Sequence, residues 1–403
     1  MLVKRKGSHF MKRILFLLSL SGLLLLLSGC WDRQEVNDLA IVTAAAIDKK
    51  GDNQVELSVQ VFVPKSLGGG GGQGGGSEGG GTGKTTLVIS QKGVNVAEAL
   101  SMVQSELPRK VFWGQCKVFI FGEKAAKEGI QDHVDFLLRH PQPRERADVF
   151  VSEGKAKRLL ELQTLLERDV SEAIREQAKL GVGMKVTLQD LGEMLASEAQ
   201  AAALPYLKIV TEKSEEVSYQ FVKNFATAVF KNDQMIGQIS QRKTRGLLWL
   251  KNEVKDYTVT VKPKDTKGGI SLNPISVHLD LIPQIQGEKW KMVVKVQTEG
   301  SVIQNGTNLD LNNPKSLKMI EKVYEEDIKK YIESTIGQVQ HKLKADIVDF
   351  AKEFHRKYPE QWKQAEHRWE EVFPEVKVNI YVDANIQRQG NINESERRRE
   401  EKR

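Results

Sequence analysis

The stretch 313-NPKSLKMIEKVYEEDIKKYIESTIGQVQHKLKADIVDFAKEF-354 decides how the second half of the chain reads. Asn313 and Pro314 supply a cap and a first-turn proline, the pair that opens a helix. Behind them the apolar residues Leu317, Ile320, Tyr324, Ile328, Tyr331, Ile336, Val339, Leu343, Ile347, Phe350 and Phe354 recur at steps of three, four or five. That spacing predicts one long amphipathic helix with a single stripe to bury. Gly337 marks the place for a bend or a break.

Upstream, the texture is that of strands: 226–230, 235–239, 246–250, 257–262, 275–286 and 290–299, joined by short polar turns, predict an antiparallel meander. Downstream, Pro359 precedes a helix over 360–372, with Trp362 and Trp369 at core spacing. An alternating strand follows at 376–386. A sheet, a long covering helix and a strand returned to the sheet make an α+β domain. The fold class expected for the whole chain is α+β and multi-domain, with mixed and antiparallel sheets under covering helices and the long helix in the C-terminal domain.

The first half mixes both element types. Strands are expected at 55–63, 85–90, 117–121 and 147–151, and an extended segment at 201–210. Asn95 caps a helix to about residue 107, and Gly129 splits helices over 123–128 and 130–139. Further helices are expected at 155–166, 170–180 and 188–198, the last with Thr187 and Asp190 as a weak capping box. Residues 68–83 hold twelve glycines in sixteen positions, a flexible loop joining two strands. The domains expected are 1–29, a signal peptide; 30–150, an N-terminal α/β domain; 151–220, mainly helical; 221–390, α+β; and 391–403, a charged disordered tail.

At the N-terminus, Lys12 and Arg13 precede fourteen residues, 14–27, of apolar character. This is short of the roughly 20 residues a membrane span needs and fits a signal peptide. Met11 is an alternative start to Met1. Leu27, Ser28 and Gly29 form a processing signal, with small residues at 28 and 29, and Cys30 then becomes the first residue of the mature chain, its thiol open to alkylation by lipid. Trp31 suits a membrane interface.

The net charge of +7 falls to +2 once residues 1–29, with five basic and no acidic side chains, are removed. No concentrated basic patch stands out, so nucleic acid is not an expected partner. Of two cysteines, Cys30 is taken by lipid and Cys116 lies among apolar residues, so no disulfide forms. Gly83-Lys84-Thr85 lacks the glycine that a phosphate loop requires five positions earlier, where Glu78 stands. His341, His355 and His367 are spaced by fourteen and twelve, without a ligand partner three to five residues away. His133 and His140 read as structural. Glu325, Glu326 and Asp327 read as a solvated helix face, and Arg139, Arg144 and Arg146 as helix-end caps. No nucleophile elbow or paired carboxylates mark a catalytic centre. No catalytic residue, metal or cofactor is expected.

Several stretches carry a resemblance. CWDRQEVNDLAIVTAAAID from Cys30, KVFIFGEKAAKEGIQDHVDFLLRHPQPRERADVFVSEGKAKRLLEL from Lys117, FATAVFKNDQMIGQIS, RGLLWL, and the run from Lys344 to Gly390 resemble the Ger(x)C spore germination lipoproteins. The resemblance implies a non-enzymatic C subunit of a nutrient germinant receptor. Its lipid would be a diacylglyceryl cysteine with palmitate, holding it outside the cell membrane and, on sporulation, at the inner membrane of the spore. Its partners would be two integral membrane subunits, one transporter-like. Cys30, Leu27, Ser28 and Gly29 are the positions that match the family's pattern; no ligand residue transfers. The glycine tract is longer than the family's loop. The alternative is a lipid-anchored solute-binding protein of a transporter, which would want two parallel-sheet lobes around a cleft.

Overall fold

The structure, a computed structural model, describes residues 14–17, 35–63, 85–164, 166–181, 183–213, 218–255 and 257–387. Its strands form two sheets, one of nine strands and one of four.

The larger sheet begins with β1 (Leu39–Lys50), β2 (Gln54–Phe62) and β3 (Thr86–Gly93), an antiparallel set. Helix α1 (Val96–Glu106) follows, capped as expected by Asn95, whose side chain accepts from Glu98 N. Strand β4 (Lys110–Phe112) then pairs with the start of β1, and β5 (Val118–Gly122) with its second half, both parallel. Helices α2 (Glu123–Glu128) and α3 (Gln131–Arg139) divide at Gly129, whose φ of 131° suits glycine. Next come β6 (Asp148–Ser152), α4 (Lys157–Leu160), α5 (Val170–Lys179) and α6 (Leu188–Leu195). The capping box of Thr187 and Asp190 on α6 is complete. Strands β7 (Ala201–Lys213), β8 (Ser218–Lys231) and β9 (Gln234–Ser240) finish the sheet, in the order β3-β2-β1-β5-β6-β7-β8-β9.

Every residue of β5 and β6 is buried, because helices cover both faces of this sheet. Ala44, Ala46, Val118, Ile120 and Phe150 pack against α4 and α5. Ile47, Phe119, Phe121 and Val149 face the opposite way, with α1, α3 and α6. Burying a phenylalanine such as Phe119 contributes about 1.5–3 kcal/mol. The sheet therefore runs through the boundaries expected at 150 and 220. The helices of 151–200 cover a sheet shared with residues before 150, because their apolar faces find its two sides.

Helix α7 (Gln241–Leu250) stands where a strand was expected at 246–250. Thr244 and Gly246 to Leu250 are all buried, so no polar face revealed a helical period. Gly246 lets α7 cross the long helix closely: a Cβ there would lie 2.3 Å from both Tyr331 O and Thr335 Oγ1.

The smaller sheet has the order β10 (Val259–Val261), β11 (Ile270–Gln286), β12 (Lys289–Asn305), β13 (Lys377–Gln387). Strand β13 runs parallel to β12, which it reaches only after the helical layer. The meander expected after residue 221 is thus shared between the two sheets, since β8 and β9 complete the larger one. Helix α8 (Pro314–Ile336) buries Ile320, Tyr324, Ile328 and Ile332, with Asn313 capping and Pro314 in the first turn. At Gly337 the winding changes to a π-helix, Gly337–Leu343. The expected single helix to 354 ends there: Lys344 and Asp349 take positive φ of 51° and 61° and turn the chain into α9 (Phe350–Lys357). Two short helices, α10 (Pro359–Ala365) and α11 (Trp369–Glu375), replace the single helix expected over 360–372, with a 3-10 turn between them. Likewise the helix expected over 155–166 is only the single turn α4.

Candidate functional site

Leu27, Ser28, Gly29 and Cys30, the sequence's own candidates, lie outside the described residues, as do Trp31, the glycine tract and the tail. The structure shows what they lead to. The chain passes from Glu35 through a 3-10 turn, Val36–Asp38, directly into β1. Five residue steps separate Cys30 from Glu35, a reach of at most about 17 Å. Strand β1 is internal, flanked by β2 on one side and by β4 and then β5 on the other. The mouth of the glycine tract opens at the same end: Val42 pairs with Val61, and Val63 N donates to Thr85 O at 2.8 Å. Val36 and Leu87 are exposed there.

Cys116, Asp48 and Asp346, buried groups suited to chemistry, are occupied by structural work. Cys116 is fully buried and its thiol is pushed up to about 12 by burial. Burial raises Asp48 as well, against the amides of Ala156 and Lys157, which donate to it at 2.8 and 2.9 Å and so tie α4 to β1. Asp346 accepts from Val348 N, Phe350 N, Ala351 N and Trp369 Nε1. Asp148 is also raised by burial; its Oδ1 has no hydrogen-bond partner, with Lys185 Nζ 3.9 Å away. Among the described residues no three His, Cys, Asp or Glu side chains gather to hold a metal. His133 stacks on Phe121, and His355 pairs with Glu198 at 2.9 Å. Arg139 pairs with Asp135 within α3.

Trp362 and Trp369 do share the core, with ring centroids 5.1 Å apart, and Trp290, Phe354 and Phe373 join them. The expected solvated face of the long helix needs correction. Glu325 Oε1 accepts from Ala384 N at 3.3 Å, and Glu321 Oε1 from Ile386 N at 3.1 Å. Asp327 is partly desolvated and its carboxyl is raised. Helix α8 thereby closes part of the free edge of β13. Sequence spacing carried a faint sign of this, since Glu321 and Glu325 lie four apart. What they reach is about sixty residues away and has no local signature.

Comparison with known proteins follows this architecture. Residues 32–209 match the family described as spore germination protein N-terminal domain, and residues 226–390 match spore germination B3/GerAC like, C-terminal. The first match ends within β7 and the second begins within β8, so the division falls inside the larger sheet. Spore germination protein KC of Bacillus subtilis (strain 168) is 28% identical over 94% of this chain and 95% of its own. Spore germination protein B3 of the same organism is 21% identical over 90% of this chain and 95% of its own. The crystal structure of the GerBC protein superposes with a TM-score of 0.55 at 17% identity, covering 88% of this chain and 99% of that one, a likeness of fold. The chain belongs to the Ger(x)C family of spore germination proteins, the C-type subunits of germinant receptors.

Proposed function

We propose that this protein is a lipid-anchored, non-enzymatic subunit of a nutrient germinant receptor, attached through Cys30 after cleavage behind Gly29. Its soluble body docks onto two integral membrane subunits, one of them transporter-like, at the inner membrane of the spore. The observation that carries this reading is the family match beginning at residue 32, two residues beyond a cysteine that ends a signal-like run. The short reach from Cys30 to β1 supports it, since it would hold one end of the larger sheet against the lipid surface. Two of the buried carboxylates support the non-enzymatic part, because Asp48 and Asp346 are spent on backbone amides. No helix of the described residues is long and apolar enough to cross a membrane.

The test is a Cys30→Ala variant in the sporulating host, scored against a panel of nutrients. The expected result is loss of the protein from the membrane fraction together with loss of nutrient response. Mass spectrometry of the wild-type N-terminus should find a lipidated Cys30. A full response from spores whose variant protein washes free of membrane would overturn the anchored reading.

A further inference from the structure

Strand β13 forms one edge of the smaller sheet, and only part of that edge is covered. Its pairing with β12 is regular from Lys377 to Gln387, so backbone groups point alternately inward and outward. Ala384 and Ile386 point outward and are taken by Glu325 and Glu321. By the same alternation Val378, Ile380 and Val382 also present N–H and C=O to the edge. Among the described residues nothing accepts from those three amides.

The helix above explains why the cover stops. Glu321 and Glu325 begin a series at every fourth position whose next members are Lys329 and Glu333. A lysine cannot accept a hydrogen bond, and Glu333 pairs with Lys329 at 3.9 Å instead. Beyond the open stretch, Gln340 Nε2 takes the carbonyl of Val376 at 2.7 Å. The gap lies beside a groove lined by Lys329, Glu333, Gly337 and His341 of the helical layer. An uncovered strand edge is a template for another strand.

We propose that the open edge of β13 pairs antiparallel with the same edge of a second copy of this chain, about a two-fold axis at Ile380. The register follows from the length of the gap. With Ile380 opposite itself, Val378 faces Val382 of the copy, and all three outward residues on each chain are paired, giving roughly six N–H···O bonds. The gap is therefore symmetric about its own centre. On the exposed face the same register sets Lys377 opposite Asp383 of the copy, twice, and Asn379 opposite Tyr381. Opposite charges in direct cross-strand register favour pairing, and like charges oppose it. Of the chain's own segments, 388–403 is a poor occupant: it offers one apolar residue, Ile392, to a groove bounded by Val376, Val378 and Ile380. This pairing is independent of lipid on Cys30.

The test uses the full chain in host membranes under mild oxidation, with two differently tagged forms. One carries Asn379→Cys and the other Tyr381→Cys, a non-hydrogen-bonded pair whose β-carbons approach about 4.5–5.5 Å. The wild type, with its own Cys30 and Cys116, is the background control. The expected result is a mixed disulfide dimer when both forms are present, well above either form alone. Lys377→Asp should cut the mixed product about fivefold, the equivalent of roughly 1 kcal/mol, and adding Asp383→Lys should restore it. Thermal melts confirm that each variant is folded. No mixed dimer above the single forms, a cross-link to a protein of another mass, or indifference to the charge changes would each overturn the assignment.

Discussion

The indole Nε1 of Trp369 donates to Asp346 Oδ2 at 3.1 Å, and both residues are 4 % exposed. The same carboxylate accepts the first amides of α9, from Phe350 and Ala351, at 3.1 and 2.7 Å. Asp349, the residue in the cap position, makes no side-chain cap bond. A buried anion four residues upstream thus replaces the missing cap and fastens α9 to α11, where the positive end of a helix favours negative charge.

Asp346→Asn keeps the shape but turns an amide N–H₂ toward donors it cannot satisfy, costing about 1–3 kcal/mol. The pH dependence has a definite sign. Burial raises the native carboxyl from its ordinary 3.8 to about 6. The folded state binds this proton more tightly, so the stability it contributes is present below about pH 3.8 and lost as pH rises through about 6. Urea unfolding should therefore show a larger cost for the variant at about pH 4.5 than at about pH 7. A cost that grows with pH would mean that the amides outweigh the burial.

Gly246→Ala forces a Cβ to within 2.3 Å of the Tyr331 carbonyl. Alanine gains about 1 kcal/mol in helix propensity, and the forced separation of α7 from α8 should exceed this, for a net loss of about 1–3 kcal/mol. Thermal unfolding measures it; a more stable variant would refute the tight crossing.

Cys116, with a thiol pushed up to about 12, should resist iodoacetamide at about pH 8 in the folded protein and react once denatured. Peptide mapping after labelling reads the difference. Rapid labelling in the native state would show that the site is open.

Replacing residues 68–83 by four residues should leave the fold intact. Antiparallel pairing from Val55–Gly93 to Phe62–Thr86 already fixes the two strands, and the Val63–Thr85 bond closes the mouth. The expected gain is about 0.7 kcal/mol, from shortening the connection between Val63 and Thr85. Circular dichroism and a melting curve test it; unfolding would assign the tract a structural role.

Local chemistry was readable from the chain, and long-range partnership was not. Asn95, Gly129, Thr187 with Asp190, and Asn313 with Pro314 acted where they stood, because caps and breaks depend on neighbours within a turn. Helix α7 was misread because its second half, Gly246 to Leu250, is buried on all sides, which erases the period there. The division of strands between sheets was misread because β6 finds β5 and β7 only across intervening helices, through contacts that no short window of sequence contains. Asp346 looked like one acidic residue among many until α9 and Trp369 closed around it. For the candidate site, the sequence pointed to Cys30 and the structure describes only the strand that it leads into.

That strand has a mechanical consequence. A pull on the chain ahead of Leu39 would enter along the axis of β1, which is bonded to β2 on one flank and to β4 and β5 on the other. Backbone bonds lie across such a load, so they share it and must rupture together in shear. The larger sheet is therefore built to transmit tension as a stiff unit, passing a tug at its leading end to the helices clasped on either face.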